Sequence, residues 1–254
     1  MECLQSKFSL VACFCFDIVF PRLHQEAHGF PVDPKEEKTQ RLRKYISHHR
    51  FDTVCLTENN IHWKNIPVQN RLYERTRGWY QDLHISTAYY DAHETQEAAQ
   101  VGGVTIWSIN KAAHRATEKG VDPRGLGRWA WTLYRGRQGR NLRIIAGYRP
   151  VKNETGALSA WSQHKAYLQD TDIDDCPRAL FTTDLVEELE KWQEKGDQIV
   201  LALDVNDNIY NSKFTTAMQE IGPTEICTER HGPHAPPTYN RERTRSTGSM
   251  FQKH

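Results

Sequence analysis

Strand-like and helix-like segments alternate along this chain, and the alternation predicts a single α/β domain. Two apolar runs carry most of that prediction, DTVCL at 52–56 and QIVLAL at 198–203. Each has the length of a strand, and the second is continuous, as in strands buried on both faces. The third observation is helical spacing of Leu180, Leu185, Leu189 and Trp192 just before QIVLAL, which reads as ordinary core packing. There is no internal repeat, low-complexity tract or obvious linker, and 254 residues suffice to bury a sizeable core.

The elements follow in order. Residues 8–20 (FSLVACFCFDIVF) read as a buried first strand; the alternative is a signal peptide, although the basic flanks are weak and no small-x-small cleavage site follows. Residues 35–49 predict a helix with Leu42, Tyr45 and Ile46 on one side, and a polar helix is expected over 66–77. Strands are expected at 84–89, 103–109, 128–134 and 142–148, the last two joined as an antiparallel hairpin across GRQGRN. A long helix runs from Pro177 to Lys195 and stops at Gly196. An amphipathic segment, Ser212–Ile221, precedes a Pro/His-rich loop at 231–237.

Composition narrows the class. Lys+Arg total 33 against 32 Asp+Glu, a formal net charge of +1, which excludes a uniformly basic nucleic-acid coat and a uniformly acidic chain. Seven Trp, ten Tyr and nine Phe argue against a disordered linker protein. The six cysteines form no CxxC pair, and Cys55 lies in an apolar run as a buried reduced thiol would. Such scattered thiols fit a reducing compartment, so the expected location is intracellular, nuclear or cytoplasmic. No apolar run is long enough to span a bilayer.

Chemistry concentrates at strand ends. TVCLTE ends at Glu58, and VLALDVN ends at Asp204 and Asn206. Polar groups directly after a buried strand lie at the sheet rim, where α/β enzymes assemble sites. Carboxylate oxygens suit Mg²⁺, with Mn²⁺ as the alternative. An acid and an amide two residues apart can orient a water and hold a phosphoryl oxygen, but Asp and Asn after a strand also form plain Asx turns. Between Arg124 and Arg149 lie seven arginines and no acid, interleaved with Trp129, Trp131, Tyr134 and Tyr148. Such a stripe suits a phosphodiester backbone, with Arg128 and Arg149 as candidate substrate contacts. The competing reading is a solvated arginine face whose partners are the acidic stretch Asp170–Asp175.

Five stretches, in this order and spacing, are FDTVCLTENNIHW (51–63), GGVTIWSINKAAHR (102–115), GLGRWAWTLYRGRQGRNLRIIAGYRP (125–150), QIVLALDVN (198–206) and PPTYNR (236–241). Together they resemble the endonuclease/exonuclease/phosphatase superfamily with its DNase I-like fold, and most of all the nuclease domains that accompany retrotransposon-type reverse transcriptases. The resemblance covers most of residues 40–241. It implies a four-layer αββα sandwich of two mostly antiparallel sheets, with residues 1–34 a poorly matched segment and 35–254 the domain. It implies Glu58 as the metal-binding glutamate, Asp204 as the residue aligning the attacking water, and Asn206 and Tyr148 beside the phosphate. Thr238 and Tyr239 match a segment near the substrate groove.

Two departures accompany the resemblance. The family's first strand bears an Asn shortly before a Gly; Gly29 marks that turn here, but Glu26 holds the matching position. At the other end, ERTRSTGSMFQKH stands where the family has an IDxxF-like strand and a terminal Asp-His pair; His231, His234 and His254 do not match the motif, and His164 is not at the catalytic position. The expectation is a truncated C-terminal end with an exposed sheet edge. The implied activity is Mg²⁺-dependent phosphodiester hydrolysis, DNA endonuclease-like. The alternatives are a non-catalytic nucleic-acid-binding remnant, or a phosphatase acting on a small or lipid phosphate.

Overall fold

The computed structural model describes residues 11–15, 37–153, 158–208, 210, 212–225 and 247–252. Its first sheet holds β1 (Val11–Cys15), β2 (Thr53–Thr57), β3 (Leu83–Ala88) and β4 (Val104–Ile109) in the order β1-β2-β4-β3. The second holds β5 (Ala116–Val121), β6 (Trp129–Arg135), β7 (Asn141–Tyr148), β8 (Gln198–Asp204), β9 (Pro223–Glu225) and β10 (Thr247–Gln252) in the order β5-β6-β7-β8-β10-β9. β1–β2 and β7–β8 pair in parallel and the remaining neighbours antiparallel. The helices are α1 (Glu37–His49), α2 (Leu72–Thr76), α3 (Lys111–Arg115), α4 (Ala160–Asp170), α5 (Pro177–Glu194) and α6 (Lys213–Ile221).

Strand periodicity explains the layering. Val54 and Leu56 of β2 pack with Leu42 and Ile46 of α1, while Cys55 between them belongs to a separate cluster with Ile144, Ala146, Val200 and Ala202 of the second sheet. On the far side, Ile145, Leu201 and Leu203 join Phe181, Leu185 and Leu189 of α5 and Phe214 of α6. Successive residues thus serve different interfaces, which is why β2 and β8 read as unbroken apolar runs. Each such buried side chain stabilises the fold by about 1.5–3 kcal/mol. The result is helix, sheet, sheet, helix. The four-layer sandwich expected above is the one observed.

Two expectations need correction, and further elements were not foreseen. The helix over 66–77 is broken into a 3-10 turn at Val68–Asn70 and α2, because Arg71 between them is extended (φ −66°, ψ 154°); its guanidinium donates to the carbonyls of Ile66 and Lys64, both at 3.0 Å, and holds the chain in a turn. The edge of β8 is not open, since β10 pairs along it from Thr247↔Asp204 to Phe251↔Val200. α3, β5, α4, β9 and β10 were not foreseen as elements; α4 starts on a Ser159/Ser162 capping box. The expectations at Glu26, Gly29, 231–237, Thr238, Tyr239 and His254 lie outside the described residues. Among the described residues, no helix is long and apolar enough to cross a membrane.

The two sheets are also joined at their edges, where Tyr90 bridges Leu126. Gly127 follows with φ +69°, and a Cβ there would lie 2.6 Å from the Tyr89 carbonyl carbon and 2.7 Å from the Tyr90 nitrogen. Gly139 has a similar φ of +76° with nothing within 4 Å. Gly127→Ala is expected to cost about 2 kcal/mol or more, strain and crowding together, and Gly139→Ala the strain alone, about 1 kcal/mol. Urea midpoints of the two variants check this; equal costs would mean that crowding at Gly127 contributes nothing.

Candidate active site

β2, β7 and β8 end on one rim of the sandwich. After Thr57 the chain turns at Glu58, which is half-buried and holds a left-handed φ of 56°. Asn59 and Asn60 fix that turn: their amides donate to the carbonyls of Gly103 (3.2 Å) and Gly102 (2.8 Å). The Asn60 side-chain oxygen accepts from the Gly102 amide at 2.7 Å. A Cβ on Gly102 would lie 3.9 Å from the Tyr148 ring, so the Glu58 turn reaches the second sheet there. Tyr148 and Asp204 are adjacent in register and each only 6% exposed. β1 ends at the same rim, Cys15 opposite Thr57. The structure therefore brings Glu58, Tyr148, Asp204 and Asn206 to one rim, as the strand-end argument expects.

The lips of the second sheet are tied together. The Arg149 amide donates to the Asp204 carbonyl at 2.8 Å. Asn206, at φ 47°, donates through Nδ2 to the Arg149 carbonyl at 2.8 Å, and its amide reaches Asp204 Oδ1 at 3.3 Å. Arg178, in the first turn of α5, donates to the carbonyls of Asn206 (2.9 Å) and Pro150 (3.1 Å). Asp207 Oδ2 takes Arg149 Nη1 and Arg178 Nη2, both at 2.8 Å. Burial alone would raise the Asp207 carboxyl, but the Arg149 hydrogen bond and the Arg178 charge hold it below its usual range. Glu58 and Asn206 are non-glycine residues held left-handed at strand ends, a strain of about 1–3 kcal/mol each that clusters at functional sites. Neither Arg178 nor Asp207 was singled out from sequence. Asp207 adjoins the LDVN motif, whereas nothing local marks Arg178.

The arginine stripe divides. Arg128 is buried, with Nη2 at 3.0 Å from Asp122 Oδ1 and 2.8 Å from Asp184 Oδ2, and its guanidinium lies over Trp129 at 4.4 Å. Arg124 forks onto Asp184 at 2.7 and 3.0 Å. Arg143 meets Asp197 at 2.7 Å, between Trp131 and Trp192. Arg149 is held by Asp207. The partners are thus Asp122, Asp184, Asp197 and Asp207, not the Asp170–Asp175 stretch. Arg128 and Arg149 point inward as ion-paired struts rather than outward toward solvent. Arg135, Arg137 and Arg140 remain exposed at the hairpin tip, the end of β6 and β7 away from Tyr148.

His62 and His164 are both buried. His62 lies edge-on to Tyr89, with Nε2 3.6 Å from Asp91 Oδ1, and burial pushes its imidazole below the usual range despite that carboxylate. His164 donates from Nε2 to the Leu126 carbonyl at 3.0 Å. Burial, seconded by the Arg128 charge, lowers it from 6.5 to about 4. It folds neutral, so protonation favours the unfolded chain. The stability it confers is present above pH 6.5 and drains away as pH falls toward 4. Between pH 7 and 5 that loss is about 2 kcal/mol. Denaturant midpoints at both pH values should differ less for His164→Gln than for the parent by that amount; an equal difference would mean His164 does not titrate on unfolding.

For a metal, the donor that the resemblance implies is Glu58, half-buried at the same end of the strands as the carboxylates of Asp204 and Asp207. No group of three His, Cys, Asp or Glu that could hold an ion gathers among the described residues. Hard carboxylate oxygens on one or two residues nevertheless fit Mg²⁺, which keeps most of its waters.

No family model matches the chain, and no curated protein does. Solved structures do. The chain is similar to the AP endonuclease LMAP from Leishmania major, with a TM-score of 0.58 and 13% identity over 96% of this chain and 78% of that one. It is similar to the human Nocturnin catalytic domain, with a TM-score of 0.54 and 11% identity over 84% and 73%. It is also similar to the 3′ phosphatase NExo from Neisseria bound to a product DNA hairpin, with a TM-score of 0.53 and 12% identity over 85% and 81%. The fold is the DNase I-like sandwich. At these identities the likeness shows the fold alone.

Proposed function

We propose that the chain is a phosphodiester hydrolase of the endonuclease/exonuclease/phosphatase superfamily, acting on nucleic acid with DNA favoured, and dependent on Mg²⁺ or Mn²⁺. The observation that carries the reading is the convergence of Glu58, Tyr148, Asp204 and Asn206 on one rim, from segments as distant as residues 58 and 206. Glu58 would hold the metal, which when bound neutralises charge developing on the phosphoryl oxygens. Asp204 accepts a proton from the attacking water and aligns it for in-line displacement. Asn206 keeps the lip beside Asp204 in place through the Arg149 carbonyl, and Tyr148 borders the phosphate. The nuclease domains of reverse-transcriptase-bearing elements are the relatives proposed.

The test is Mg²⁺-dependent cleavage of plasmid and single-stranded DNA and of a small phosphomonoester by the parent, Glu58→Gln and Asp204→Asn. Equal background turnover by all three proteins on every substrate overturns the enzyme. The phosphatase reading has its own support in the inward-facing Arg128 and Arg149, which leave the rim with less charge for a long polyanion. Turnover of the monoester with intact DNA selects it.

A further inference from the structure

A cleft of about 480 Å³ opens where α3 and the start of β5 face the β6–β7 hairpin, lined by His114, Arg115, Thr117, Arg135 and Arg137 with the backbone of Ala116 and Gly136. We propose that this cleft, with Arg140 at the hairpin tip, is a second nucleic-acid site that grips the phosphate backbone away from the reacting centre. The proposal rests on the nucleic-acid reading above. No acidic side chain lines the cleft. Of the acids nearby, Asp82 takes His114 Nε2 at 2.8 Å, and Glu118, next to Thr117 in the chain, is exposed on β5 outside the cleft lining. Unlike Arg124, Arg128, Arg143 and Arg149, these arginines are exposed and make no ion pair with any described carboxylate.

The tip is pre-shaped. A Cβ at Gly136 would meet the Arg140 carbonyl, the Arg140 amide donates to Arg137 at 3.1 Å, and Gln138 and Gly139 are left-handed. A tight turn that places cations at fixed spacing loses little freedom on binding. The ligand class follows from what surrounds the charges. The tip sequence RGRQGR has no aromatic on which a base would stack, so the contact is to phosphates and blind to sequence. None of the exposed large apolar side chains, such as Val121, Val151 or Leu158, lines the cleft, as a membrane-inserting surface would require. β7 runs from this tip to Tyr148 in seven steps, roughly 23 Å, so the cleft holds a different stretch of strand from the one at the rim.

The experiment measures binding of the full chain to a fluorescein-labelled DNA duplex by anisotropy in EDTA over a series of NaCl concentrations. For Arg115→Gln/Arg135→Gln/Arg137→Gln the slope of log K against log salt should become shallower by about 2–3, because each duplex phosphate neutralised contributes about 0.9. The same triple change to Lys should keep the parent slope, which separates lost charge from lost folding. Hydrolysis of bis(p-nitrophenyl) phosphate with Mg²⁺ reads the rim independently: a changed slope with no hydrolysis by any protein keeps this site and sinks the enzyme. An unchanged slope in the Gln variant, no duplex binding by the parent, or binding to phosphatidylserine vesicles in place of duplex each overturns the proposal.

Discussion

Asp184→Ala should cost about 3–5 kcal/mol of stability, because it strips a buried guanidinium of a partner. Asp184 sits inside α5, 5% exposed, and its two oxygens serve both Arg124 and Arg128. Asp184's hydrogen bond holds Arg124 still more firmly charged, and Arg124 is partly exposed and can turn to water. Arg128 cannot: its side chain has no exposed surface, and Nε and Nη1 already lack hydrogen-bond partners. Adding Arg128→Met removes the guanidinium left with Asp122 as its one carboxylate partner, while Asp122 keeps the amides of residues 124 and 128, each at 3.0 Å. The double variant should therefore recover part of the loss relative to Asp184→Ala alone. Urea unfolding of both singles and the double gives the coupling energy; strictly additive costs would mean that the two side chains do not depend on each other.

Asp204→Asn should lower turnover by about 10²–10⁴-fold with little change in stability. The substitution is nearly isosteric, and the bonds that place residue 204 in β8 are backbone ones, including the Arg149 amide to its carbonyl at 2.8 Å. What disappears is the negative charge that would take a proton from water. Asn206→Ala makes the contrast, because it unties the lip by removing the 2.8 Å bond to the Arg149 carbonyl. Comparing kcat and urea midpoints separates the two: Asp204→Asn should fall in kcat alone, Asn206→Ala in both. Undiminished kcat in Asp204→Asn removes Asp204 from the chemistry.

The layers were legible where periodicity is strong. β2, β4, β6, β7, β8 and α5 fall within a residue or so of their expected bounds, because apolar runs and cap residues mark them locally. α2 was overread, since Arg71 looks helical by propensity yet its guanidinium is recruited by the carbonyls of Lys64 and Ile66. The rim was legible too, because acids directly after buried strands have few other places to lie. The stripe was half legible. Seven arginines without an acid among them look solvated in one dimension, but four of them find partners at 122, 184, 197 and 207, outside the window. Charge pairing across helices and sheets leaves no local trace, and Arg178 was invisible for the same reason.

The parallel pairing of β7 with β8 has a consequence for how the protein comes into being. Tyr148 and Asp204 stand side by side, yet the chain between them must run back the length of the sheet through α4 and α5 before β8 can join. Closing that loop is an entropic cost met before any rim contact returns it. The hairpin β6–β7 needs no such detour and can form by itself. In the order of assembly the arginine tip therefore precedes the rim: a folding chain would hold the proposed phosphate grip before the proposed reacting centre is whole.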